Sequence, residues 1–317
     1  MRFDAITRKS GFMAILLAII IVVATILRAS LAPFDMEIAE LPFRERVISK
    51  IVAGILFIAT SIIVGRLFLQ LGLSKSYCTL PIPIYCAMAC GVALSPHTLS
   101  AASLALLFTY GIYLITKSAT SNNEMNSLLL GSMFLGALPL IYPPCVVLVA
   151  IIPMVILLYT LSLRQSVVMV IGWLLPLLFA SYAMWYGGSS FLLLASNIVE
   201  NITTNSSAEI STPPYGAIAI GIVAIAIIVW GIVYSTYKRN SSLPLVRIRK
   251  NIHLFIAIAA LMVGMLLLPG GGLRVLPLMA LPLTILLSFS LSITPMRDST
   301  LAYWLLLLIT FIHLLIE

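Results

Sequence analysis

Charged residues are scarce in this chain: they make up 9% of its 317 residues, whereas hydrophobic residues make up 62%. No hydrophilic stretch is long enough to form a soluble domain, so we predict one helical transmembrane domain over residues 1–317. Eleven apolar runs of 17 to 24 residues follow one another, and about 20 residues cross a bilayer as a helix. The runs lack the alternating polarity of membrane β-strands. The predicted fold class is an all-α, polytopic helical membrane protein.

The predicted membrane spans cover most of the chain. They are residues 11–32, 47–70, 77–96, 99–116, 126–142, 144–163, 166–186, 216–237, 251–268, 273–292 and 299–316. Residues 33–46 then form the first outer polar loop, and residues 187–215 form the longest outer loop. Within the longer loop, the apolar segment Phe191–Val199 predicts a short helix on the membrane surface or over a cavity.

Acidic residues are fewer than basic ones, 10 against 18, which gives a net charge of +8. In a membrane protein this excess reports topology rather than binding to nucleic acid. With the N-terminus inside, 13 basic residues lie on the inner side and 5 on the outer side. We therefore predict a multi-pass protein of the cell inner membrane, with the N-terminus cytoplasmic and the C-terminus outside.

Several common kinds of site have no support in the sequence. There is no phosphate-binding loop, dinucleotide fingerprint or zinc-protease motif. Cys86 and Cys90 share a helix face, but no further ligand completes a metal set with them, and the three histidines are scattered. Ion-coupled transporters usually need a charged residue in the middle of a span, and no predicted span has one. Transport through discontinuous helices, which bind substrate with backbone groups, stays open.

Two pairs of predicted spans are separated only by proline-containing breaks. Ser95-Pro96-His97 divides one pair and Tyr142-Pro143-Pro144 divides the other. Proline lacks an amide hydrogen and clashes with the preceding helical turn, so a helix normally ends there. Each pair is predicted to form a tight hairpin at the outer face. The alternative, one kinked helix of about 40 residues, is too long for a bilayer.

The polar stretch from Arg28 to Lys50 carries four of the ten acidic residues and lies beyond the first span. Asp35 and Glu37 are the predicted catalytic residues, acting as a base or as hard oxygen ligands for a divalent metal. No other cofactor is predicted. The predicted substrate-binding residues are those that could meet a phosphate or its sugar at the outer face: Arg28, Glu40, His97, Tyr142, Gly271 and Arg274.

Plainer interpretations of the same residues remain open. Glu40 and the charged residues that follow it are also typical of a solvated turn leading into the second span. Gly271, within Pro269–Arg274, also fits a simple tight turn instead of an anion-binding nest of backbone amides. His97 is equally explained as a residue of the hairpin turn.

Residues 128–187 combine a small-residue helix, a Tyr-Pro-Pro break, an Arg-Gln-Ser turn and a Leu-Pro-Leu helix ending in aromatics. With the preceding ALSPHTLSAASLALLFTYGIYLI, this block resembles a family of short polytopic inner-membrane proteins from Bacteroidetes-type bacteria. It is more distantly similar to GT-C glycosyltransferases, which use polyprenyl-phosphate sugars. That similarity implies a catalytic acid in the first outer loop, where Asp35 and Glu37 lie, and gives Arg274 the part of a phosphate-binding arginine.

Three functions follow as hypotheses, all in biogenesis of envelope glycan or lipid. The first is a GT-C-like transferase that uses a lipid-linked phosphosugar. The second is a non-enzymatic membrane subunit that binds lipid or protein partners. The third is a carrier of lipid-linked or hydrophobic substrates. Membrane lipid, including polyprenyl phosphate, and other membrane proteins are the predicted partners.

Overall fold

A computed structural model describes residues 11–31, 43–73, 79–90, 98–120, 124–203, 215–237, 245–266, 275–294 and 296–316. This part of the chain is almost entirely helical and contains no strand. The α-helices, numbered α1 to α12, are Gly11–Leu31, Phe43–Gln70, Pro81–Cys90, Thr98–Thr120, Met125–Ile141, Ile151–Tyr159, Leu163–Tyr186, Leu193–Thr203, Tyr215–Tyr237, Leu245–Leu266, Leu276–Ile293 and Met296–Ile316. A 3-10 helix, Pro143–Ala150, connects α5 to α6.

The all-helical fold class is confirmed, and each predicted span contains helix. Within the described residues, five helical segments are long and apolar enough to cross a membrane: Ile48–Gln70, Leu99–Ala119, Leu163–Tyr186, Ile248–Leu266 and Leu276–Ile293. Five further apolar helices in the same residues are shorter. The structure is therefore consistent with a membrane protein, while the number of eleven spans stays a prediction. Helix α8 confirms that the loop after α7 contains a short helix.

The chain groups into two compact units. The first unit consists of Met1–Leu106, Thr212–Arg249 and Leu276–Glu317, and the second consists of Leu107–Ser211 and Lys250–Val275.

Helix α3 is the centre of the first unit. Residues 81–89 are all buried, and α1, α2, α11 and α12 pack against this helix. Proline suits the first turn of a helix because the amide hydrogens there have no helical partner, and α3 begins with Pro81 and Pro83. Ten residues of helix span roughly 15 Å, about half of a hydrocarbon core. The first unit therefore has a short, fully enclosed helix among longer ones.

Helices α5 and α7 pack closely in the second unit because small residues meet at their interface. A Cβ atom added to Gly172 would lie 2.8 Å from the Leu129 carbonyl oxygen and would overlap the Ser132 hydroxyl. On another side of α5, a Cβ at Gly131 would lie 2.9 Å from the carbonyl oxygen of Gly111 in α4. Small residues allow helix backbones to approach closely in membrane proteins.

The predicted break at Tyr142 is confirmed. Tyr142 has extended backbone angles, φ −142° and ψ 102°, as expected for a residue before proline. The following eight residues form a 3-10 helix that packs against α5 and leads into α6. Thr160 ends α6 in a left-handed conformation, and a capping box between Ser162 and Gln165 starts α7. The other proline break, around His97, lies outside the described residues.

An ion pair connects the end of α4 to the residue before α5. Lys117 Nζ lies 3.2 Å from Glu124 Oε2, and the Ser127 hydroxyl donates to the same oxygen at 2.8 Å. The hydrogen bond from Ser127 and the charge of Lys117 hold the pKa of Glu124 below its ordinary value. The stability that this ion pair contributes is therefore fully present above the pKa that Glu124 has in the unfolded chain, and it is lost as pH falls through the lower pKa of Glu124 in the folded chain.

Candidate functional site

Most of the predicted transferase site lies outside the described residues. This applies to Asp35, Glu37, Glu40, His97, Gly271 and Arg274. Arg28 belongs to helix α1, but its side chain is not among those described. The proposed meeting of these groups at the outer face therefore stays a prediction.

Tyr142 is the predicted substrate-binding residue that the structure describes fully. Its backbone amide donates to the Leu138 carbonyl oxygen at 2.9 Å, and its carbonyl oxygen accepts from the Cys145 amide at 3.0 Å. Its side chain is 7% exposed, so it packs within the second unit. These contacts join the end of α5 to the 3-10 helix. They give Tyr142 a structural role at the break, and its contact with substrate stays a prediction.

A cavity of about 410 Å³ opens in the first unit between helices α9, α11 and α12. The volume lies within the range of small-molecule sites, roughly 300–1,000 Å³. The lining residues are Val223, Ala226, Ile227 and Trp230 from α9, Leu291 and Thr294 from the end of α11, and Asp298, Ala302 and Leu305 from α12. None of these residues was predicted to belong to a site, because they come from three separate predicted spans and from the connection between the last two.

The walls of this cavity are mostly apolar, and two polar groups lie where α11 leads into α12. Asp298 is exposed in the first turn of α12, where a carboxylate is stabilised by the partial positive charge of the helix N-terminus. Among the described residues it forms no ion pair. The Thr294 hydroxyl donates to the Ser290 carbonyl oxygen at 3.1 Å. The cavity is open on one side, and it can therefore hold an apolar molecule against its walls and offer it oxygen atoms at one end.

The interior of the first unit also contains buried hydroxyl groups. Thr60, Thr294 and Thr310 each donate to the carbonyl oxygen four residues earlier in the chain, which is the usual arrangement in a helix. Thr284 and Ser288, one turn apart on α11, are fully buried, and their hydroxyl groups have no hydrogen-bond partner among the described residues. Their four-residue spacing in an apolar span is the signal by which the sequence could have indicated them.

No protein-family model, curated protein or solved structure matches the chain.

Proposed function

We propose that this chain is an integral membrane carrier that holds a hydrophobic or lipid-linked molecule in the cavity between α9, α11 and α12. The observation that carries the proposal is the combination of a 410 Å³ volume, apolar walls and polar oxygens confined to the α11–α12 junction. A molecule with an apolar body and one small polar group matches this distribution. Binding sites of that kind are largely apolar, with a few polar groups that fix orientation.

The position of the cavity supports entry from the bilayer. Trp230 is 61% exposed and Leu305 is 49% exposed, although both line the cavity. Because these side chains also belong to the apolar outer surface of the first unit, a lipid-like molecule has a route to the cavity from the hydrocarbon region. Asp298, exposed at one end, would keep the polar group of that molecule near water.

Partly filling the cavity should weaken this binding. We expect Ala302→Phe to weaken the binding of a brominated long-chain alcohol about tenfold or more, because the bound molecule must then compete with the phenyl ring for the same space, and overpacking costs about 1–3 kcal/mol. The measurement is saturable quenching of Trp230 fluorescence in purified protein whose other tryptophans, Trp173, Trp185 and Trp304, are changed to Phe. Ala302 lines the cavity, whereas the adjacent Leu301 does not and is 64% exposed.

Leu301→Phe is therefore the matched control and should bind the alcohol as well as the parent protein does. If Ala302→Phe and Leu301→Phe quench to the same extent at the same concentrations, the alcohol does not occupy the cavity. Absence of saturable quenching in the parent protein would also contradict the proposal.

A transferase is the second candidate, and it is favoured by the acidic residues concentrated in the first outer loop. In this proposal Asp35 or Glu37 deprotonates the acceptor or holds a divalent metal, while Arg274 neutralises the phosphate of a lipid-linked sugar. It requires the N-terminus to face the cytoplasm, so that residues 33–46 lie outside an inner membrane. The distant resemblance of residues 128–187 to GT-C enzymes also supports the transferase, but it does not indicate a substrate.

Substitution of the two acids tests the transferase in the native host. We expect Asp35→Asn or Glu37→Gln to leave the amount of protein unchanged and to lower formation of one envelope glycan about 10²- to 10⁴-fold, the usual contribution of a general base. Immunoblotting and glycan profiling measure the two effects. Glu45→Gln, in the same polar stretch, is the control and should resemble wild type. Wild-type glycans in both Asp35→Asn and Glu37→Gln would exclude the transferase.

A further inference from the structure

We infer that the cavity of the first unit selects a hydrophobic ammonium compound, that is, an alkyl chain carrying a cationic amino group, with Asp298 as its counter-ion. This inference rests on the proposed carrier function and adds the chemical class of the molecule carried. It follows from the kind of polar atom that lines the cavity at the α11–α12 junction.

Both polar groups at this junction present acceptors to a bound molecule. The carboxylate of Asp298 has only acceptor oxygens when it is ionised. The Thr294 hydroxyl donates to the Ser290 carbonyl oxygen at 3.1 Å, and the Leu291 carbonyl oxygen lies 3.5 Å away. While it makes this hydrogen bond, the Thr294 oxygen is available to a bound molecule only as an acceptor. An ammonium group, with three donors and no acceptor, complements this pair of groups.

The charge at the cavity points to the same class of molecule. Asp298 is the one ionisable side chain in the described lining. It forms no ion pair with another described residue. Asp298 is exposed at the end of the cavity, so it attracts a cation as a surface carboxylate does, and salt weakens this attraction. Trp230 is in the same lining, and an indole ring can attract a cation to its face. Fatty acids and phosphate esters would be repelled by Asp298 and would find no donor on Thr294.

The test compares three brominated probes with the same alkyl chain and different head groups: a primary ammonium, an alcohol and a carboxylate. In the parent protein at low salt we expect the ammonium to bind about tenfold more tightly than the alcohol, and the carboxylate to bind least. Asp298→Asn should lower ammonium affinity about tenfold, to about that of the alcohol, and should change alcohol affinity much less, because asparagine keeps an acceptor oxygen but has no charge. High salt should reduce the preference of the parent protein in the same way.

Glu200→Gln is the control, because it removes an equal charge from α8 in the second unit and should leave the ammonium preference intact. Equal binding of the three probes by the parent protein, or a preference that survives Asp298→Asn, would overturn the inference while leaving the carrier function in place. In that case the parent protein still binds the alcohol, and Ala302→Phe still weakens this binding. If no probe shows saturable binding, the inference and the carrier function are both wrong.

Discussion

Gly136→Ala should lower the thermal stability of the protein markedly and reduce the amount of folded protein recovered from membranes. A Cβ atom at Gly136 would overlap the carbonyl oxygen of Trp173 and lie 2.8 Å from its carbonyl carbon and 2.9 Å from its Cα. All three are backbone atoms of α7, so no side chain can rotate away. Helix α7 must move from α5, and overpacking of this kind costs about 1–3 kcal/mol or more.

The control for Gly136→Ala is Gly264→Ala, which also lies in a helix of the second unit. A Cβ at Gly264 meets no atom within 4 Å. Alanine forms helix better than glycine by up to about 1 kcal/mol, so this variant should be as stable as the parent protein or slightly more stable. Fluorescence-detected thermal unfolding in detergent compares the two. Equal unfolding temperatures for Gly136→Ala and the parent would show that α5 and α7 are not in tight backbone contact.

The helices of this fold could be predicted because most of them coincide with long apolar runs in the sequence. A backbone in lipid must pair its polar groups internally, so an apolar run of about 20 residues leaves little choice but helix. Helix boundaries were less predictable. Helix α2 begins at Phe43, four residues before the predicted span at 47, because polar residues such as Arg44 and Glu45 can continue a helix beyond the apolar run. The break at Tyr142 was predictable because proline acts locally.

The cavity could not be predicted, because its walls come from residues 223–230, 291–294 and 298–305 in three helices. Apolar periodicity does not distinguish a residue that faces lipid from one that faces a cavity, since both surroundings are apolar. Asp298 lies between two predicted spans, and the sequence assigned it no role. The density of charged residues pointed instead to the loop around Asp35, and the functional importance of that loop stays a prediction.

The partners of individual glycines were equally unpredictable. The sequence around Gly131 and Gly136 is recognisably rich in small residues, which indicates close helix packing. It does not reveal that Gly136 meets Trp173 or that Gly231 meets Ser290. Such pairs depend on the rotation and register of two helices far apart in the chain, and these are fixed only by packing.

Gly231→Ala is expected to lower both thermal stability and ligand binding, because Gly231 lies where two walls of the cavity are in contact. A Cβ at Gly231 in α9 would overlap the Cβ and hydroxyl of Ser290 in α11 and lie 2.6 Å from its Cα. The Ser290 hydroxyl donates to the Ile228 carbonyl oxygen at 3.4 Å, so the added methyl group also disturbs this bond. Separation of α9 from α11 would change the shape of the cavity that they line.

Thermal unfolding and quenching by the brominated alcohol, measured on the same samples, test this coupling. Gly221→Ala, in the same helix but with nothing within 4 Å of its added Cβ, should leave alcohol binding at the parent value and thermal stability at the parent value or slightly above it. Ser290→Gly removes two of the three atoms that a residue-231 Cβ would meet and leaves the Cα, so it should restore part of the stability lost in Gly231→Ala. Contacting residues typically show interaction energies of about 0.5–3 kcal/mol in such a double-mutant cycle. Strictly additive effects of Gly231→Ala and Ser290→Gly on stability would contradict the contact between these residues. If Gly231→Ala is destabilised but binds the alcohol as well as the parent protein does, the α9–α11 contact does not determine the shape of the cavity.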